Sequence, residues 1–308
     1  MKPLDWNITF QTFISRFTDV AIPFFFLISG FLFFYNIDQI NDCLAKLKKR
    51  LSTLLIPYLT WNILLLIFCF ALSTIPALAP QIKHTYRLEY SLYWIITKLT
   101  YKPIVGQFWY IRTLLIFMFF SPLYLYAIKS RICSLPIILL ALALWSLIDT
   151  NIVSTEGACF FLIGGFLAYH SSLPNPQPVK LWIWLLPLQM LIFSIILFTS
   201  IKYVMIRKFC ILAQIYTGWQ ISLYLAANSK ICHYLVDLNH HSFFIYATHG
   251  VFLRGLSLFF SRILPHTQIF SFITYLTCCF LTLILSFSLS FSLKRITPRI
   301  YSILNGGR

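Results

Sequence analysis

From Ile269 to Leu293 no side chain carries a formal charge, and the same holds from Leu51 to Leu72. A helix needs uncharged runs of this length to cross a bilayer: about 20 residues, at about 1.5 Å of rise each, span a hydrocarbon core of about 30 Å. Of the 308 residues, 59% are hydrophobic and 10% are charged, whereas a soluble domain carries about 25% charged residues to face water. The sequence therefore predicts an all-α fold: a polytopic transmembrane helix bundle forming a single membrane-embedded domain over 1–308.

Nine segments meet the length rule to within a few residues at each end: 18–35, 51–72, 107–127, 134–149, 156–170, 181–200, 209–227, 242–262 and 269–293. The fourth and fifth are short enough to be tilted, broken or partly re-entrant. The connections leave no room for a soluble domain. In the longest, 73–106, SLYWIITKL at 91–99 reads either as a helix lying in the interface, with Tyr93 and Trp94 at headgroup level, or as an ordinary amphipathic loop. SSLPNPQPV at 171–179 is too rich in proline to continue a helix and reads as a turn. No internal repeat is evident.

The net charge of +16 comes from 24 basic and 8 acidic residues. The basic ones sit in short clusters between apolar runs, as loops next to anionic headgroups do, with no groove-binding motif to indicate nucleic acid. Eight cysteines occur without a CxxC pair, and Cys69, Cys159, Cys278 and Cys279 lie inside apolar runs. They read as small hydrophobes, and no metal site is expected. The opening residues lack the basic and then apolar regions of a secretory signal.

If the loop holding Lys46, Lys48, Lys49 and Arg50 is cytoplasmic, alternating the nine spans puts twelve basic residues inside, ten outside and two, Arg112 and Arg254, within spans. The dense cluster beside a span favours this orientation, which sets the N-terminus outside and the C-terminus inside.

Ionisable groups within spans are expensive, so each is a candidate for function. His249 sits mid-span with Tyr246 one helical turn before it. It is either a general base able to take a proton from a hydroxyl or a structural histidine bonded between helices. Arg112 follows FWYI; it either holds a phosphate or a developing oxyanion, or snorkels from the aromatic interface marked by Trp109 and Tyr110. Asp19 stands at the mouth of the first span. The remaining histidines, His170 and His241 among them, fall at span ends or in loops, where water can satisfy them. KLKKR at 46–50 is either a membrane anchor or a seat for the phosphates of a cytoplasmic acyl-coenzyme A.

Four segments, taken in order, resemble the integral-membrane acyltransferase family 3: VAIPFFFLISGFLFF at 20–34, LKKRLSTLLIPYLTW at 47–61, FWYIRTLLIFMFFSPLYLY at 108–126 and HSFFIYATHGVFL at 241–253. The resemblance implies a bundle of about ten helices, one more than the nine counted by length. It implies transfer of an acyl group, acetyl above all, from acyl-coenzyme A to a hydroxyl of a sugar or cell-surface polysaccharide. The acyl-coenzyme A is a donor substrate, and no bound cofactor is implied. Membrane lipids and a carbohydrate acceptor complete the expected partners, and the expected location is a bacterial inner membrane.

By the same resemblance His249, Arg112 and Tyr246 are the expected catalytic residues, and Lys48, Lys49 and Arg50 the donor-binding ones. Trp109, Ser29 and Arg254 are expected to bind substrate, with Pro23 and Gly30 at pocket or packing positions. The family also opens with a helix carrying an Arg and then a His regarded as the base. Here Arg16 is the nearest Arg and no His precedes His84. That leads to the expectation of either a late start or a truncated and inactive copy. A transporter of lipid-linked glycans is the rival reading; it would string polar residues through several spans in matching halves, a pattern the sequence lacks.

Overall fold

The computed structural model describes residues 6–89, 91–147, 154–170, 184–192, 204–265 and 267–307. They are helical almost throughout, and none forms a strand. In chain order the helices are α1 (Trp6–Thr18), α2 (Ala21–Phe34), α3 (Ile40–Arg50), α4 (Ile56–Ser73), α5 (Ala79–Tyr86), α6 (Leu92–Thr100), α7 (Trp109–Phe119) and α8 (Ser121–Lys129). Then come α9 (Arg131–Leu147), α10 (Thr155–His170), α11 (Val204–Ala227), α12 (Ser229–Ile263), α13 (Gln268–Ile296) and α14 (Pro298–Leu304). Residues 184–192 are helical as well.

Four helical runs among the described residues are long and apolar enough to cross a membrane: Asn7–Phe34, Ile40–Ser73, Ser229–Ile263 and Gln268–Ile296. A fifth results if α7 and α8, bent by 62° at their junction, make one span. The break has a local cause, because Pro122 in the first turn of α8 has no N–H to give to the preceding turn. The expected count of nine is thus not reproduced among the described residues. Segments 134–149 and 156–170 correspond to α9 and α10, of 17 and 16 residues, short of the about 20 that a bilayer core requires. Most of the expected span 181–200 and the proline-rich turn at 171–179 lie outside the described residues. The first run starts earlier than expected, with the chain helical from Trp6. On α13, Phe280, Leu283 and Ile284 are more than half exposed, the surface that lipid rather than water would cover.

The chain forms two compact units. The first comprises residues 1–46 and 117–237. Its centre is the pair α2 and α10, brought together by reciprocal glycines. A Cβ on Gly164 would lie 2.8 Å from the Phe31 nitrogen and against the Leu27 carbonyl, and one on Gly30 would lie 2.9 Å from the Phe161 carbonyl carbon. Small residues let membrane helices approach this closely, and dispersion then holds them. Phe161, fully buried, packs against Phe33, Phe34, Phe117 and Tyr124. Polar ties lie at the helix ends. Lys46 Nζ donates to the Phe33 carbonyl at 2.9 Å and to that of Tyr35, placing a cation on the C-terminus of α2. Arg207 pairs with Asp19 at 2.9 Å.

The second unit comprises residues 47–116 and 238–308. Between α3 and α4, Leu51–Leu55 form a π-helical turn. Pro57, one turn on, has no N–H for the Thr53 carbonyl. Gly306, at φ +70°, lies against that carbonyl so closely that any Cβ would overlap it. Trp61 Nε1 donates to the Leu304 carbonyl at 3.0 Å, holding α14 against α4. Asn62, with no exposed surface, donates to the Tyr58 carbonyl at 2.8 Å and accepts from the Val105 N–H at 3.1 Å. That fixes the segment leading into α7. The stretch 91–99 is a helix, as one of its two readings has it, with the Ser91 hydroxyl accepting from the Trp94 N–H. Trp94, however, is buried and packs on Phe70, while Tyr93 is exposed.

Candidate active site

Helical spacing on α12 sets Tyr246 and His249 one turn apart, with ring centroids separated by 5.9 Å. The imidazole Nδ1 of His249 lies 2.8 Å from the Tyr246 carbonyl and 3.2 Å from that of Ile245. A carbonyl only accepts, so Nδ1 carries the hydrogen, and in the neutral ring Nε2 carries the lone pair. His249 is half-buried. Its own helix thus holds it in the tautomer that a general base uses.

Gln107, in the 3₁₀ turn Gly106–Phe108, clamps this segment. Its Nε2 donates to the carbonyls of Tyr246 and Ala247 at 3.1 and 2.9 Å, and its backbone carbonyl accepts the Tyr246 hydroxyl. Gly250 makes the approach possible, since a Cβ there would lie 3.1 Å from the Gln107 amide carbon. Phe108, fully buried, stacks between Tyr246 and Tyr58, at 5.8 and 5.6 Å between centroids.

Arg112, on the first turn of α7, is half-buried. One guanidinium nitrogen donates to the Tyr101 carbonyl, and the group lies 5.5 Å over the Tyr101 ring. Its Nε is buried with no hydrogen-bond partner among the described residues, and the Tyr58 hydroxyl is in the same state. A buried donor left alone costs about 1–3 kcal/mol, so groups of this kind call for an explanation.

The other expected site residues are more dispersed. Lys48 and Lys49, on the last turn of α3, are exposed and Arg50 is half-buried. Trp109 packs edge-on to Tyr110. Ser29 is half-buried on α2 within the first unit, next to the close-packing Gly30; Pro23, on the first turn of the same helix, is buried. Arg254 is exposed and lies 5.5 Å over the Tyr86 ring.

Two histidines expected to meet water are satisfied by protein instead. His241 is buried, its Nδ1 lying 2.8 Å from Ser290 Oγ and 3.4 Å from the Tyr301 hydroxyl. His170 donates from Nε2 to the Ile128 carbonyl at 2.7 Å and accepts from Arg131 Nε at 3.3 Å. Gln107, Tyr58 and Asn62 carry no formal charge, so little in the sequence sets them apart from other span residues; the aromatic neighbours of Gln107 and Asn62, Phe108 and Trp61, were the only signal.

A family model described as an acyltransferase domain, of the acyltransferase 3 type, matches residues 2–291. No curated protein and no solved structure gives a match.

Proposed function

The chain belongs to the acyltransferase 3 family, and on that premise we propose that this membrane acyltransferase is an O-acyltransferase acting on a carbohydrate of the cell envelope. The donor is acyl-coenzyme A, acetyl-coenzyme A above all, reaching the protein from the cytoplasmic side of a bacterial inner membrane. Lys48, Lys49 and Arg50 are assigned to the donor's phosphates, for which clustered cations are suited. Trp109 and Ser29 are assigned to substrate contact.

In the proposed reaction, Nε2 of His249 takes the proton of the acceptor hydroxyl as its oxygen attacks the thioester carbonyl carbon. The carbonyl π electrons move onto oxygen, and Arg112 stabilises that charge. Collapse of the tetrahedral intermediate breaks the C–S bond. Coenzyme A leaves as thiolate and takes up the proton from His249, leaving an ester on the glycan. Tyr246 is assigned to positioning, because its O–H already donates to the Gln107 backbone carbonyl. The two buried orphans, Arg112 Nε and the Tyr58 hydroxyl, are the groups this reading provides with a partner when substrate is bound.

The observation that carries the reading is the contact of His249 Nδ1 with the Tyr246 carbonyl at 2.8 Å, which leaves Nε2 to take a proton. The test is acyl transfer by protein reconstituted in liposomes, with labelled acetyl-coenzyme A outside and a polysaccharide acceptor inside. His249→Gln is expected to lower the rate by about 10²–10⁴-fold, the usual contribution of a general base. Transfer at the wild-type rate by this variant, or none by the wild type, would sink the proposal.

A further inference from the structure

Helix α5 with its C-cap and the C-terminal half of α12 border a cleft of about 580 Å³, lined by Lys83, His84, Thr85, Arg87, Arg254 and Ser257. Three of these are permanent cations, and two bring hydroxyls. Arg87 ends α5 in the left-handed region at φ +48°, a conformation rarely adopted by residues other than glycine. Arg262, two turns beyond Arg254, donates to the Gln81 side chain and ties α12 to α5.

Among the described residues no carboxylate pairs with Lys83, Arg87 or Arg254. The second unit has a single carboxylate in its sequence, Glu89. Part of its field falls on Lys98, whose pKa is pushed down by burial and then by Lys102 and Arg87, with Glu89 opposing. Tyr86, stacked under Arg254, is no counter-ion either, because burial first, and then Cys69, raise its phenol pKa against the pull of Arg254. Like charges gathered round one concavity repel unless an anion from outside joins them. Arginine forks with a lysine and hydroxyls match the geometry of phosphate oxygens.

We propose that this cleft is a binding site for a phosphodiester or pyrophosphate group, presented either by an anionic phospholipid headgroup or by the phosphate link of a lipid-carried glycan acceptor. Arg254 lies five residues beyond His249 on α12, about 7.5 Å along the helix axis. Five residues also turn the helix by about 140°, so the two side chains leave α12 on different faces, and a bound glycan would have to curve round the helix to bring a hydroxyl to Nε2. Phosphate binding stands without the acyltransferase reading; the identification of the ligand as acceptor rests on it.

The experiment measures the melting temperature of the purified protein in nanodiscs. One arm uses phosphatidylcholine alone with a titration of inorganic pyrophosphate; the other adds phosphatidylglycerol to the bilayer. The wild type is expected to be stabilised in at least one arm, and Lys230→Gln, a matched charge loss at the far end of α12, is expected to behave as the wild type. Lys83→Gln/Arg87→Gln/Arg254→Gln is expected to lose the shift, and the single variants to need about tenfold more pyrophosphate for the same shift. The singles carry the comparison should the triple variant fail to fold. A response to pyrophosphate supports a phosphate-linked acceptor, and a response to phosphatidylglycerol alone supports a lipid headgroup. An equal shift in wild type and variants, or none in the wild type, overturns the site. Acyl transfer assayed in parallel separates the two readings: a shift without transfer removes the enzyme reading and keeps the site, and transfer without a shift does the reverse.

Discussion

Tyr246 has one O–H to donate, and the Gln107 carbonyl accepts that hydrogen bond. That commitment decides between two roles for the phenol. If it stabilised an oxyanion, Tyr246→Phe would lower the rate by about 10²–10³-fold, as loss of an oxyanion donor does. As a positioning residue its loss removes one hydrogen bond, about 1 kcal/mol, and keeps the stack on Phe108. The expected outcome is therefore a fall of no more than about tenfold in transfer, with a lower melting temperature. Gln107→Ala is expected to be the more damaging change, since it removes both donors that reach the Tyr246 and Ala247 carbonyls. The kcat of the two variants in the liposome assay checks the order, and a greater loss in Tyr246→Phe would return the phenol to the reacting atoms.

At the level of the helix, glycine has two distinct uses that the sequence does not separate. Gly164 faces the Leu27 carbonyl and the Phe31 nitrogen of α2, with no room for a methyl group. Gly255, on α12, has nothing within 4 Å of where its Cβ would stand. Gly164→Ala is expected to destabilise by about 1–3 kcal/mol through overpacking. Gly255→Ala is expected to be neutral or to stabilise by up to about 1 kcal/mol through helix propensity. Thermal melts of the two variants in one detergent make the comparison, and equal melting temperatures would contradict it. The same contrast shows what was legible in the sequence. Long uncharged runs revealed α4 and α13, because the bilayer rewards apolar length directly. The ordered segments around Gly30, Pro57, Trp109 and His249 pointed to the family. The burial of Trp94 and the bonding of His241 to Ser290 were not legible, because each depends on which face of a helix meets its neighbour. Pro122 was visible, but a proline can either kink a span or open a new helix, so the bend itself was not legible.

Over the whole molecule, charge is distributed along one crossing. In the run Ile40–Ser73, Lys48, Lys49 and Arg50 precede the apolar stretch and Lys83 and Arg87 follow it. If that run crosses once, the two basic groups lie on opposite faces of the membrane. Single cysteines placed at 48 and at 87 in a cysteine-free background are expected to react with a membrane-impermeant maleimide from opposite sides of intact cells; reaction from the same side would rule out the crossing. The head of that crossing also has a temporal consequence. Thr53 leaves the ribosome about 250 residues before Gly306, the residue that packs against its carbonyl. Through that interval the carbonyl lacks this cover, and the insertion machinery or lipid must shelter the π-helical break until α14 is made. A ribosome stalled before α14 would leave behind a span already in the membrane but not yet sealed.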